Sequence, residues 1–154
     1  MYTAAIVLHS VLRWVVIVLG VIAVTRALAG RSGGRAWTAA DATPGRLYTI
    51  ALDVQMLIGL LLYFVFSPIL SIASADWGQA MGNSAIRYWV VEHLASMVIA
   101  IALAHVGTVR VRKAATDAAR FTQATIFYGL SLLLVVIASP WPGLPYGRAL
   151  LRLW

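Results

Sequence analysis

Apolar residues fill four long stretches of the chain, at about Ala4–Leu28, Leu47–Phe66, Ala85–Val109 and Phe121–Ala138, with polar residues concentrated between them. A bilayer core about 30 Å thick takes around 20 mostly apolar residues as helix. Backbone groups in hydrocarbon must also pair within their own segment. Each stretch is therefore predicted to be a transmembrane helix. Residues 1–154 are read as one all-α domain, an integral membrane four-helix bundle. Pro68, Trp77, Gly78 and Gly82 break up the Ser67–Ser84 connector, which is expected along the interface. Pro140 stops the fourth helix. The 140–154 tail, carrying Trp141, Tyr146 and Trp154, suits the headgroup zone.

Composition strengthens this reading. Apolar residues are 62% of the chain and charged residues 11%, against roughly 45–50% and about 25% in soluble domains. A globule this small could not hide so much apolar surface from water. The net charge of +7 does not point to nucleic acid, because the basic residues flank apolar stretches rather than forming one patch. Arg26, Arg31, Arg35 and Arg46 surround the first connector, and Arg110, Arg112, Lys113 and Arg120 the third. Only Arg87, Arg148 and Arg152 lie on the other side. The excess places the first and third connectors in the cytoplasm and both termini outside. With no cysteine in the chain, disulfides, thiolate metal sites and Fe–S clusters are excluded. No Lys or Arg precedes the first apolar stretch and no small-residue cleavage site follows it, so that stretch is expected to be kept as a helix.

Ionisable residues inside such stretches mark functional sites by default. Here they are His9, Arg13, Asp53, Glu92, His93 and His105. Helical rise places His9 near the outer end of the first helix, with Arg13 one turn deeper on the same face. Glu92 and His93 lie about two turns inside the outer end of the third. Gly59 and Gly129 fall at similar depth on the second and fourth helices, where a missing side chain leaves room for a flat macrocycle. Tyr63 and Met97 lie near the same layer. This convergence predicts one b-type haem with His9 and His93 as axial iron ligands. Arg13 pairs with a propionate or with Glu92. The plainer alternative is an Arg13–Glu92 ion pair with the two histidines in structural hydrogen bonds.

Other chemistries fit less well. A zinc or non-haem iron site of two His and Glu92 is disfavoured because the adjacent side chains of Glu92 and His93 diverge by about 100°. His105 has no inner-half histidine to face it, which argues against a second haem. With Asp53 and Gln55 it forms an interhelical polar contact, a proton relay or a quinone-binding edge. No hydrolase triad, Walker loop, Rossmann fingerprint or HExxH is present.

The segments Leu8-His9-Ser10-Val11-Leu12-Arg13-Trp14, Gln55-Met56-Leu57-Ile58-Gly59, Val91-Glu92-His93 and Ser139-Pro140-Trp141-Pro142 resemble a family of small bacterial four-helix membrane proteins, some labelled cytochrome b-like. The resemblance covers nearly the whole chain. It implies a multi-pass protein of the bacterial cytoplasmic membrane and a haem hypothesis. The expected function is that of a membrane haem electron carrier or oxidoreductase, with the lipid bilayer and a quinone or protein redox partner around it. The alternative is a non-enzymatic subunit or assembly factor of a larger membrane complex, or a homo-oligomer. A small transporter is the weakest case, since four helices show no inverted repeat.

Overall fold

The computed structural model describes residues 1–151. The expected positions of Arg152 and Trp154 in the tail lie outside them. Among the described residues every regular element is helical. Four helices are long and apolar enough to cross a membrane: α1 (Tyr2–Gly33), α2 (Ala39–Phe66), α5 (Ser84–Lys113) and α6 (Asp117–Ile137). Two short helices, α3 (Pro68–Ala75) and α4 (Trp77–Gly82), occupy the connector between α2 and α5.

The long helices extend beyond their apolar stretches, and local polar chemistry explains it. α2 begins eight residues before Leu47 because Thr38 and Asp41 form a reciprocal capping box, satisfying amide donors that open the helix. The Asp41 carboxylate is also gripped by the Arg35 fork at 2.6 and 2.7 Å and by Arg26 at 3.2 Å. α1 stops where Gly34 takes a left-handed conformation, φ 59°, the usual helix-ending role of glycine. In the connector, Ser67, Asp76 and Asn83 each cap a helix start with a side-chain oxygen. That is why a stretch read as an irregular loop forms two helical turns and leads straight into α5.

Each long helix packs on two neighbours, in the order α1, α2, α5, α6 and back to α1, so α1 and α5 stand diagonally. The interior is built largely from small residues, including Ala23, Ala27, Ala51, Ala100, Ala104 and Ala124. Such residues let helix backbones approach closely where apolar burial alone gives no drive to associate. Gly30 is the extreme case, since a Cβ there would collide with the Phe121 ring. One polar chain pins three helices together: the Tyr48 hydroxyl bonds Ser131 Oγ at 2.8 Å, and Ser131 donates to the Ala100 carbonyl at 2.7 Å.

Candidate functional site

The two histidines come from the diagonal helices. His9 projects from α1 and His93 from α5, and their ring centroids stand 6.4 Å apart with the planes inclined at 69°. Both line a cavity of about 190 Å³ whose wall also includes Arg13, Gln55, Gly59 and Met97. The layer inferred from helical depth is therefore present, and Tyr63 and Met97 both face it.

Two widened helical turns shape this end of the bundle. α2 closes with a π-helical turn over Leu62–Phe66, and α5 passes through another over Tyr88–Glu92. Such turns break the regular i to i−4 ladder and often mark functional sites. The Tyr63 hydroxyl, from the first, donates to the Val90 carbonyl of the second at 2.9 Å. Trp89 and Val90 line the cavity, and His93 follows one turn later.

The hydrogen bonds set the tautomer of His93. Its Nδ1 lies 3.0 Å from the Ala138 carbonyl, and a carbonyl only accepts, so Nδ1 carries the proton and Nε2 keeps its lone pair. Tyr88 donates to the same carbonyl at 2.7 Å. A backbone carbonyl behind an imidazole is the arrangement that orients a histidine for metal ligation. His9 is held differently. Its backbone carbonyl accepts from Gln55 Nε2 at 2.9 Å, while its buried Nδ1 has no partner. Gln55 therefore serves His9 rather than joining Asp53 and His105.

Arg13 is buried, with 9% of its surface exposed. It donates through Nη2 to the Leu150 carbonyl, and its Nε is buried without a partner. Among the described residues no carboxylate pairs with it. Arg148, from the tail, adds a second cation to the cavity wall and lies over Trp89, 5.1 Å from the ring centre. The cavity wall thus carries two arginines and, among the described residues, no carboxylate.

Two expected residues stand elsewhere. Glu92 pairs with Arg87 at 2.6 Å and does not line the cavity. It sits in the π turn, one position before His93, and points to a different side. Gly129 on α6 faces open space, and α6 instead contributes Val135 to the wall. Gly59 is at the site, where a Cβ would lie 3.1 Å from His9 Cε1, so its missing side chain makes room for the imidazole itself.

Sequence reasoning did not single out Tyr88, Trp89, Arg148 or the Leu150 carbonyl. The first two belong to the π turn, whose altered phase hides their direction. The tail residues act through folding back, which no periodicity records. Asp53 and His105 do meet, with Oδ1 and Nε2 2.9 Å apart.

Compared with known proteins, the chain matches no family model, no curated protein and no solved structure.

The donor set can be tested against the metals considered. Among the described residues no group of three or more His, Cys, Asp and Glu gathers, so an ion held by protein side chains alone is short of donors. A macrocycle that brings four equatorial nitrogens needs only two axial ligands. A metal bound about 2 Å from each imidazole nitrogen would set the ring centroids about 6 Å apart, close to the observed spacing. The orphaned His9 Nδ1 agrees with this donor set. A macrocycle with its substituents exceeds the cavity volume, so lining side chains must yield, and the flexible thioethers of Met56 and Met97 are suited to that.

Proposed function

We propose that the protein is a multi-pass protein of the bacterial cytoplasmic membrane that holds one b-type haem between α1 and α5 and carries electrons. The observation that supports this best is the pair His9 and His93, two imidazoles with ring centroids 6.4 Å apart and, among the described residues, no third protein donor gathered with them. Bound haem supplies one-electron chemistry. The chain's own residues do the rest. His93 keeps Nε2 free for a metal because the Ala138 carbonyl holds its Nδ1 proton. His9 offers the opposing imidazole, steadied through Gln55. Arg13 and Arg148 supply positive charge for the carboxylates of the macrocycle.

Four helices long and apolar enough to cross a bilayer support the membrane setting. Basic residues crowd the connectors between α1 and α2 and between α5 and α6, which supports a cytoplasmic face there, with the proposed haem layer and both termini on the outer side.

Oxidised and dithionite-reduced spectra of protein purified in mild detergent from haem-sufficient cells test the reading. A Soret band with sharp reduced α and β bands is expected, lost in both His9→Ala and His93→Ala. A flat spectrum, or full haem in both single variants, overturns it.

A further inference from the structure

A second polar site lies on the opposite half of the bundle. Asp53 stands near the middle of α2, and His105 stands on α5 about two turns before its end at Lys113. Their side chains, bonded at 2.9 Å, are 43% and 53% exposed. Helical rise puts them about 10 Å along the axis from Arg46 and about 8 Å from Arg110. In the membrane setting proposed above this is hydrocarbon depth. The surface around them is apolar, with Ile50, Val54 and Leu57 exposed on α2 and Val106 and Val109 on α5. Ionisable residues in membranes almost always face a protein interior or a water-filled cavity. This pair opens sideways onto the surface that meets lipid.

The proton count specifies what it would hold. An Asp–His hydrogen bond contains one shared proton, carried on His105 Nε2 against the carboxylate. With the imidazole neutral, the two remaining polar atoms, Asp53 Oδ2 and His105 Nδ1, are both acceptors, and neither is bonded among the described residues. The matching ligand is a hydroxyl donor soluble in lipid. One helical turn towards the basic end, the same seam continues as a hydroxyl chain. Thr49 Oγ1 lies 3.3 Å from Thr108 Oγ1, which lies 3.2 Å from the Tyr128 hydroxyl.

We propose that the α2–α5 seam at Asp53 and His105 binds the headgroup of a lipid-soluble quinol, entering sideways from the bilayer. Its phenolic hydroxyl donates its one proton to an open acceptor of the pair while its ring and tail lie on Val54, Leu57 and Val106. A second copy of the chain is the competing occupant. The bulky exposed neighbours argue against it, because membrane helices approach one another through small residues. The proposal goes beyond the haem reading and does not rest on it.

The test uses the full chain in nanodiscs with decylubiquinol and decylubiquinone as probes. Tighter binding of the quinol than of the quinone is expected. Asp53→Asn should weaken it about tenfold or more, as loss of a hydrogen bond to a charged partner does, and His105→Leu by about threefold to tenfold, as loss of a neutral one does. A photoreactive quinol analogue should label the segments carrying Asp53 and His105 in the unaltered protein, a readout that needs no variant to fold. The absence of cysteine allows a clean control: Val54→Cys should give no disulfide between copies. Unlabelled segments, or equal partitioning of both probes into all forms, would falsify the site. Cross-linking of Val54→Cys assigns the seam to a second copy and overturns it as well.

Discussion

Tyr88 and Tyr146 lie face to face, ring centroids 3.6 Å apart and planes 7° from parallel. This stack joins the π turn of α5 to the C-terminal tail. The Tyr88 hydroxyl meanwhile reaches the Ala138 carbonyl that orients His93. The tail is therefore part of the site's wall. On its other side Leu150 accepts hydrogen bonds from Arg13 and, at 2.9 Å, from Trp14 Nε1.

Tyr146→Ala removes the stack and loosens the tail. Aromatic pairs contribute about 0.5–1.5 kcal/mol beyond burial, so a loss of about 1–2 kcal/mol is expected in chemical unfolding followed in detergent. Proteolysis should cut the tail faster while the four long helices survive. An unchanged cleavage rate would show that the stack does not hold the tail.

Gly30 and Gly129 should respond oppositely to alanine. A Cβ at Gly30 collides with the Phe121 ring, whereas at Gly129 it meets nothing within 4 Å. Gly30→Ala is expected to cost about 1–3 kcal/mol through overpacking. Gly129→Ala should be neutral or stabilise by up to about 1 kcal/mol from helix propensity. Thermal unfolding of the two variants side by side decides it.

Asp41→Asn strips charge from a carboxylate whose side chain is 1% exposed and which serves Arg26, Arg35 and the Thr38 cap together. Arg35 is itself 41% exposed, so solvent screens part of the interaction. A loss of about 1–3 kcal/mol is expected. Hydrogen exchange should place the loosening at residues 35–45. Protection lost evenly along α2 would contradict a local cap.

Arg13→Met carries a prediction of two signs. Replacing a buried charge that has no carboxylate partner among the described residues by an apolar side chain of similar length should leave the haem-free protein as stable or more so. Haem retention should fall about tenfold, since a charge-assisted contact to carboxylate is lost. Parallel melting curves and haem-transfer kinetics separate the two effects. A variant destabilised without haem would mean that Arg13 acts mainly by tying down the tail.

Much of this architecture was legible in the sequence because hydrocarbon imposes a length and a composition. The four apolar stretches and the layer shared by His9, Arg13 and His93 follow from counting residues along helices. What the count missed was set by short polar contacts. The Thr38–Asp41 box extends α2. Ser67, Asp76 and Asn83 turn a connector into helices. Direction around a helix was less legible than depth. Glu92 lies beside His93 in sequence yet turns to Arg87, in a π turn that no apolar periodicity records. Gly129 has the right depth on the wrong side of α6.

The diagonal placement of α1 and α5 has a mechanical side. Neighbouring helices are already fastened by their shared interfaces, whereas the diagonal pair is joined near the histidines by the edge-on approach of the two rings. Whatever joins the two imidazoles works as a cross-brace, tying the first long helix to the third and stiffening the frame against shear. If haem binds there as proposed, the loaded bundle would be stiffer than the empty one. A membrane protease that samples loose helices would have a way to tell them apart.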